Sequence, residues 1–327
     1  MKQLTLNSGM KIPVISLGTW SFGGDAIWGE TDERQAAKTV RRAVELGMVQ
    51  IDTAPAYGMG KSEEILGRAL EGIRDKVLLS TKCGLSWDAG AAGALHVERD
   101  GHRIVRNLSA ASIRRDLENS LQRLHTDYID IYYTHWPVPE PYRVPVQETL
   151  EELNRMKKEG KIRAIGASNM SAILLEEYLQ FGEVEILQEK YSLLDRGPER
   201  ELLGLCREKG IVLQAYSPLE QGILTEKFRR NKEPLHERRF TGKIWEKKEN
   251  RARLLLLLDG WEDLYGKYQC GVEQLAIAWL LKQGEVNVLC GARKPDHLES
   301  NMRSADLELL PEDLDRIRRD LECFQAT

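Results

Sequence analysis

Short apolar runs alternate with amphipathic stretches along nearly the whole chain. Eight runs rich in Val, Ile and Leu have the length and composition of buried strands. They lie at 14–17, 48–51, 77–80, 128–133, 162–165, 184–187, 211–215 and 286–290. Between them, apolar residues recur every three or four positions, which predicts helices. The clearest helical stretches are 33–45, 112–124, 146–159, 171–179, 199–209 and 272–282.

Eight strands that alternate with helices close most simply as a parallel (β/α)8 barrel, the TIM barrel. A doubly wound sheet is the alternative. It is disfavoured because no Gly-x-Gly-x-x-Gly follows the first strand, and Gly58 and Gly60 come after the second strand at a different spacing. Residues 4–6 and 11–14 flank the turn sequence at 7–9 and predict an N-terminal β-hairpin. No break in composition divides residues 1–327, so we expect a single domain.

Two long connections interrupt this alternation. One runs from Gly84 to Ser109 after the third strand, and the other runs from Gln221 to Arg251 after the seventh. Loops at the C-terminal ends of barrel strands usually cover a site, so we expect these two to act as lids on that face. The pattern predicts no conformation for residues 84–111 or 220–252.

Composition narrows the function classes. The 327 residues are 42% hydrophobic and 30% charged with a net charge of −4, and the scattered basic residues argue against a nucleic-acid surface. The apolar run at 254–258 is too short to span a bilayer and is better explained as part of a buried helix. Five widely spaced cysteines without a Cys-x-x-Cys pair predict free thiols and no metal site. We therefore expect a cytoplasmic protein without a membrane partner, as a monomer or weak oligomer.

Polar residues recur where the predicted strands end. Each has an ordinary explanation when taken singly: Asp52 could cap a helix, and His135 could be a semi-buried core histidine. Their repeated position favours a shared site, because the C-terminal ends of barrel strands converge on one face. The strand-end residues are Trp20, Asp52 with Tyr57, Lys82, His135, Ser168, Asn169, Gln188, Tyr216, Ser217, Gly291 and Arg293.

Four of these residues together suit carbonyl reduction. An ion pair between Lys82 and Asp52 would keep the lysine protonated, and a cation beside Tyr57 would make its phenol a better acid. A neutral His135 could donate a hydrogen bond to a carbonyl oxygen and fix its direction. The sequence shows no cluster of metal ligands, so we expect a bound cofactor to supply the hydride.

Five motifs in order then resemble the aldo-keto reductase superfamily, most closely its bacterial NADPH-dependent members of the general-stress type. They are Asp-Thr-Ala-Pro-Ala-Tyr-Gly at 52–58, Ser-Thr-Lys at 80–82, Tyr-Thr-His-Trp-Pro at 133–137, Lys-Ile-Arg-Ala-Ile-Gly-Ala-Ser-Asn at 161–169 and Ala-Tyr-Ser-Pro-Leu at 215–219. The resemblance implies reduction of small aldehydes and ketones with NADPH. It also implies catalytic roles for Tyr57 as general acid, Lys82 and Asp52 as its tuning pair, and His135 as the carbonyl orienter.

The resemblance further implies a cofactor site along the strand ends. The nicotinamide would contact Ser168, Asn169 and Gln188, with Tyr216 stacked on its ring and Asp52 near its amide. Trp20 is assigned to the same site. The pyrophosphate would lie under the loop that contains Ser217, Leu219, Gly222, Leu224 and Thr225.

The adenosine phosphate would lie at the exit of the last strand. Its implied contacts are Gly291, Arg293, Lys294, His297, Glu299 and Asn301. This chain has Gly291-Ala292 where other members carry Lys-Ser, so its positive charge moves to Arg293 and Lys294. A guanidinium offers planar contact to a 2′-phosphate, and we therefore expect NADPH to be preferred to NADH.

Aromatic residues near the strand ends predict a pocket for an apolar carbonyl substrate. The predicted lining is Trp20, Trp28, Tyr57, Trp87, His135 and Trp136.

Two other functions remain open at the level of the sequence. A barrel lyase or aldolase would use Lys82 as a Schiff-base nucleophile, which requires a depressed lysine pKa, whereas Asp52 would raise it. Some members of the superfamily are cofactor-sensing regulatory subunits of membrane channels. That role is less expected here because no extra segment precedes the hairpin in this sequence.

Overall fold

The computed structural model describes residues 2–24, 28–88, 90–99, 101–231 and 244–324. Eight of its strands form a closed barrel in the order β3-β4-β5-β9-β10-β11-β12-β13, and each pairs in parallel with both neighbours. The predicted (β/α)8 barrel is thus confirmed. The strands are β1 (Gln3–Thr5), β2 (Lys11–Pro13), β3 (Ile15–Gly18), β4 (Gln50–Asp52), β5 (Leu78–Cys83), β6 (Leu85–Ser86), β7 (Ala94–Arg99), β8 (His102–Arg106), β9 (Ile129–Thr134), β10 (Ile162–Ser168), β11 (Ile186–Lys190), β12 (Val212–Tyr216) and β13 (Val286–Gly291).

Helices separate the barrel strands. They are α1 (Glu33–Glu45), α2 (Lys61–Ala69), α3 (Ala110–Arg123), α4 (Val146–Lys158), α5 (Ala172–Phe181), α6 (Leu202–Lys209), α7 (Glu226–Asn231), α8 (Lys248–Asp259), α9 (Glu262–Tyr268), α10 (Val272–Leu281), α11 (Pro295–Arg303) and α12 (Pro311–Cys323). Helix α1 has the predicted bounds: the Asp32 side chain caps it by accepting from the Gln35 amide, and Ala36, Val40 and Ala43 are buried on one face.

The predicted hairpin closes the N-terminal end of the barrel. Strands β1 and β2 pair antiparallel. Leu6 and Ile12 pack in one buried cluster with side chains from four barrel strands: Ile131, Tyr133, Ala164, Ile186 and Val212. This end is therefore apolar and sealed, which leaves the C-terminal end of the barrel for a site.

The barrel strands extend further than the apolar pattern predicts. The pattern ends the third and fifth barrel strands at residues 80 and 165, whereas β5 continues to Cys83 and β10 to Ser168. The added residues include Lys82 and Ser168, which are polar yet buried. An apolar pattern ends at such residues. The backbone hydrogen bonds to the neighbouring strands nevertheless continue past them.

The first long connection contains a sheet that the pattern did not predict. Strands β6, β7 and β8 form an antiparallel sheet in the order β6-β8-β7. Its strands include the charged residues Glu98, Arg99, Arg103 and Arg106 and have few buried apolar residues, namely Leu85, Ala94, Ile104 and Val105. Strands of this kind lack the continuous apolar run that marks a barrel strand, which explains why they were missed.

The second long connection includes α7 and the start of α8. Residues 232–243 of this predicted lid lie outside the described residues. The leucine run at 254–258 is helical as predicted, with Leu254 and Leu258 buried, but Leu256 is 75% exposed. In the part of the chain that the structure describes, we find no helix with the length and hydropathy that a membrane span requires.

Candidate active site

A buried ion pair lies at the centre of the open end of the barrel. Lys82 on β5 donates from Nζ to Asp52 Oδ1 at 2.6 Å and to the Thr53 carbonyl oxygen at 2.8 Å. Its third contact is the Tyr57 hydroxyl at 3.3 Å. Lys82 and Asp52 side chains are 0% and 1% exposed. The three contacts match the three protons of an ammonium, so the lysine is fully engaged.

The pKa of Lys82 is raised even though burial by itself lowers it, because the nearby Asp52 and Tyr57 favour the charged ammonium. The pKa of Tyr57 is also raised. Burial is the main cause and Asp52 adds to it, while Lys82 opposes both by its charge and its hydrogen bond. Lys82 therefore lowers the pKa of Tyr57, as the sequence reasoning expected, but burial raises this pKa by more. At neutral pH the phenol keeps its proton.

A polar network under Asp52 holds its carboxylate in place. Asp52 Oδ2 accepts from Ser80 Oγ at 3.0 Å and from Gln188 Nε2 at 3.1 Å. Gln188 Nε2 also donates to Gln214 Oε1 at 2.6 Å, and Gln214 Nε2 donates to Asn287 Oδ1 at 2.7 Å. The sequence reasoning missed Ser80, Gln214 and Asn287. Their signal was available, since a polar side chain inside an apolar strand run needs a buried partner.

Tyr57 is held by a tight approach between two turns. The backbone of Gly58 lies so close to that of Gly23 that a Cβ atom on Gly58 would stand 2.1 Å from the Gly23 carbonyl oxygen. Gly58 also has a φ of 63°, which favours glycine. This contact brings Trp20 beside Tyr57, with ring centroids 6.2 Å apart.

His135 also lies beside Tyr57. The two rings meet edge to face with centroids 6.1 Å apart. Burial lowers the pKa of His135 well below its ordinary value, and the neighbouring Lys82, His96 and Arg106 lower it further. His135 is therefore neutral at physiological pH, as the sequence reasoning required, and a neutral imidazole has one N–H donor.

The β7–β8 hairpin brings a second cluster to the rim of the site. His96 on β7 lies 5.3 Å from Trp136 between ring centroids, and Arg106 on β8 stacks 5.1 Å from the centre of Trp136. Burial and the charges of Arg106 and Arg99 lower the pKa of His96 to about 4. The sequence reasoning missed His96 and Arg106, because only the antiparallel pairing of the hairpin brings them to Trp136.

The predicted aromatic lining falls into two groups. Trp20 packs edge to face on Trp28 with centroids 5.3 Å apart, and Trp20 in turn faces Tyr57. Trp87 and Trp136 belong to a separate apolar cluster built on Ala56, Leu85 and Ile104. Their roles in a substrate pocket stay predictions.

The predicted nicotinamide contacts form a hydrogen-bonded shelf at the ends of β10 and β12. Asn169 Nδ2 donates to the His135 carbonyl oxygen at 2.9 Å and to Ser168 Oγ at 3.0 Å. The Tyr216 hydroxyl donates to Asn169 Oδ1 at 2.8 Å. Gln188, by contrast, directs its amide NH2 to Asp52 and Gln214 inside the barrel.

The predicted pyrophosphate loop has an unusual backbone. Ser217, Glu220, Gln221 and Gly222 all have φ between 46° and 104°, in the left-handed region. Such backbone is costly for residues other than glycine and is kept mainly at functional sites. In the same loop, Leu219 is partly buried, Leu224 lies fully in the core, and the Thr225 hydroxyl donates to the Gly222 carbonyl at 2.8 Å.

At the predicted adenosine end, Arg293 and Glu299 contact other groups of the protein. Arg293 donates from Nη1 to the Trp28 carbonyl oxygen at 2.7 Å and from Nη2 to the Glu30 carbonyl oxygen at 2.6 Å. Glu299 pairs with Arg42 on α1 at 2.7 Å. Of the other predicted contacts, Gly291, Lys294 and His297 are exposed and Asn301 is buried.

These residues fit a nicotinamide cofactor. The shelf offers a hydroxyl and an amide beside the aromatic ring of Tyr216, a set that suits a carboxamide and a flat ring. The loop at 217–222 has left-handed backbone at four positions, a conformation that occurs in phosphate-binding turns. Both lie on the same face as Lys82 and Tyr57.

Comparison with known proteins decides the family. The profile of the Aldo/keto reductase family matches residues 14–322. The chain belongs to the aldo/keto reductase family. It is accordingly an oxidoreductase of a family that reduces carbonyl groups with NADH or NADPH.

Three relatives illustrate the range of this family. The chain is 42% identical over 329 residues to the NADH-specific methylglyoxal reductase of Escherichia coli (strain K12), covering 99% of this chain and 100% of that protein. The glycerol dehydrogenase AKR11B4 from Gluconobacter oxydans has a TM-score of 0.87 and 30% identity, with 99% and 96% of the two chains covered. An aldo/keto reductase from Klebsiella pneumoniae, solved with NADP and acetate, has a TM-score of 0.73 and 27% identity, with 97% and 94% covered.

Proposed function

We propose that this protein reduces small aldehydes and ketones to alcohols, with Tyr57 as the proton donor. The observation that carries the proposal is the set of three contacts of Lys82, to Asp52, the Thr53 carbonyl and the Tyr57 hydroxyl. This set holds a protonated amine against the phenol oxygen, where negative charge develops as the phenol gives up its proton.

The remaining roles follow from the same geometry. Neutral His135 donates its N–H to the substrate carbonyl oxygen and so directs that oxygen towards Tyr57. Asp52 keeps Lys82 charged, and Ser80 and Gln188 keep Asp52 oriented. Ser168, Asn169 and Tyr216 would hold the nicotinamide, and the 217–225 loop would hold the pyrophosphate. The bound cofactor supplies the hydride that reduces the carbonyl carbon.

A Schiff-base lyase is a weaker proposal. Its nucleophile must be an unprotonated amine, whereas the pKa of Lys82 is raised by Asp52 and Tyr57 against the effect of burial. All three amine contacts are also occupied.

The choice between NADPH and NADH depends on the groups at the adenosine end. NADPH is supported by the cationic pair Arg293 and Lys294, and by the NADP held by the Klebsiella relative. Two observations favour NADH. Arg293 already donates to two backbone carbonyls, and the 42% identical relative is named NADH-specific. Since contact with a 2′-phosphate would compete with those two hydrogen bonds, we propose NADH as the better substrate, with NADPH as the alternative.

The test is a comparison of wild-type protein with Tyr57→Phe. Each is titrated with NADH and NADPH by tryptophan fluorescence, and reduction of methylglyoxal, the compound in the Escherichia coli relative's name, is then measured. We expect both proteins to bind NADH alike, while kcat for the variant falls about 100-fold to 10,000-fold. Normal turnover by Tyr57→Phe would contradict the proton-donor role. Tighter binding of NADPH would reverse the proposed cofactor preference.

A further inference from the structure

Arg106 is a partly buried cation at the rim of the site that no assigned role uses. Its Nε donates to His96 Nδ1 at 3.0 Å, and its Nη1 donates to the Pro137 carbonyl oxygen at 3.1 Å. The guanidinium lies over Trp136 at 5.1 Å from the ring centre. All three neighbours are electrically neutral, because burial and nearby arginines lower the pKa of His96 to about 4.

Two partly buried arginines elsewhere in the chain have carboxylate partners. Arg74 pairs with buried Asp130 at 2.9 Å, and Arg123 pairs with buried Glu63 at 2.6 Å. Within the described residues, Arg106 has no carboxylate within ion-pair distance, and its Nη2 makes no hydrogen bond. Burial lowers the pKa of Arg106, so the charge is poorly compensated where it stands. A partly desolvated charge without a counter-charge is costly, and a bound anion would remove that cost.

Arg106 also lies near His135. Trp136 follows His135 directly in the chain, and Arg106 is close enough to lower the pKa of His135. Trp136 also packs in the cluster of Ala56, Leu85 and Ile104, and Ala56 precedes Tyr57. A small molecule could therefore place its carbonyl group between Tyr57 and His135 and its other end near Trp136 and Arg106.

We propose that Arg106 binds the carboxylate of the substrate, and that the preferred substrates are oxo acids that carry an aldehyde or ketone at one end and a carboxylate at the other. The inference rests on the proposed carbonyl reduction and names the class of its substrate. The free Nη2 supplies a charge-assisted donor, and a guanidinium suits the planar carboxylate. His96 and Trp136 hold the guanidinium in place.

The experiment uses matched aldehydes that differ only in charge. Succinic semialdehyde is compared with its methyl ester, and 4-carboxybenzaldehyde with its methyl ester, at saturating cofactor. The variants are Arg106→Met, which keeps much of the side-chain length, and Arg106→Lys, which keeps the charge. Arg103→Met is the matched control, since Arg103 is exposed on the same strand.

We expect Arg106→Met to lower kcat/KM for the acids about 10-fold to 150-fold, mainly by raising KM. A factor of this size corresponds to the loss of one hydrogen bond to a charged group. The esters should change less than about 3-fold, Arg106→Lys should lose less than Arg106→Met, and Arg103→Met should match wild type. Equal losses on acids and esters would show that Arg106 only fastens the hairpin to Pro137 and would overturn the proposal. Wild-type protein that reduces neither acid nor ester would instead contradict the proposed function itself.

Discussion

The two ends of the predicted cofactor site differ in how their charged residues are used. At the catalytic end, Lys82 and Asp52 are buried and contact each other, and Lys82 also contacts Tyr57. At the adenosine end, Arg293 donates to backbone carbonyls of residues 28 and 30, and Glu299 pairs with Arg42. The charged residues of the catalytic end thus face one another, whereas Arg293 and Glu299 hold neighbouring segments of the protein.

This difference shows which assignments depend on the barrel alone. Lys82 and Asp52 belong to adjacent barrel strands, so their meeting follows from the ladder once the barrel is formed. Arg293 and Glu299 follow the last strand. Their partners come from loops and helices, and the barrel alone does not determine which of these groups they contact. A resemblance in sequence transfers roles more securely to strand ends than to such loops.

The largest expected effect comes from breaking the catalytic pair. Lys82→Met leaves the Asp52 carboxylate buried without its counter-charge, so we expect the free energy of unfolding to fall by about 3–5 kcal/mol. Reduction should fall at least about 100-fold because Tyr57 loses its cation. The measurements are urea denaturation and steady-state kinetics.

The control is Lys2→Met, which breaks an ion pair with Glu308 whose side chains are 62% and 69% exposed. We expect a change of less than about 1 kcal/mol there. Similar destabilisation by both substitutions would mean that burial does not distinguish these pairs.

At the other end, we expect Arg293→Ala to weaken NADH and NADPH binding by the same factor, about 10-fold or less. The reason is that Arg293 holds the backbone of residues 28 and 30 instead of a phosphate. Dissociation constants from fluorescence titration measure this directly. A loss confined to NADPH would establish the 2′-phosphate contact that the sequence predicts.

A smaller effect is expected on the pH dependence of stability, through His96 on the β7–β8 hairpin. The pKa of His96 is about 4 in the folded protein, against an ordinary value of 6.5. Between these values the unfolded chain binds the proton and the folded protein does not, so stability falls as pH is lowered from about 6.5 to about 4. His135 contributes in the same direction, so the comparison with a variant isolates His96.

We expect His96→Asn to remove about 1 kcal/mol of this decrease, after allowance for solvent screening of a half-buried group. Denaturation curves at pH 4.5 and pH 7 for both proteins test it. An unchanged difference between the two pH values would show that His96 titrates normally.

The smallest effect is expected at Glu299. Its pair with Arg42 is about two-fifths exposed on both sides, so Glu299→Gln should change stability by less than about 1 kcal/mol. NADH affinity should change less than about 3-fold. A loss above 10-fold would indicate that Glu299 leaves Arg42 to contact the adenine, as the resemblance implies.

The sequence predicted the barrel because its strands are apolar on both faces and its helices are amphipathic. It also predicted that Asp52, Tyr57, Lys82 and His135 lie at strand ends on one face, and the structure brings these four residues together, while their catalytic roles stay predictions. For Ser80, Gln214 and Asn287 the sequence indicated only that a buried partner is needed, because the identity of each partner depends on the register inside the barrel. It could not predict Arg106 and His96, because the hairpin that positions them has charged strands and no apolar run.

The most direct test of the central claim is the pH dependence of kcat/KM for reduction of a neutral aldehyde ester at saturating cofactor. Tyr57 has a raised pKa and His135 has a pKa well below its ordinary value, so Tyr57 carries the transferable proton throughout the neutral range. We therefore expect a flat profile from about pH 6 to pH 8.5, with a decrease only at higher pH as the phenol ionises. A decrease as pH rises between 6 and 7 would identify an imidazolium as the proton donor and contradict the role of Tyr57.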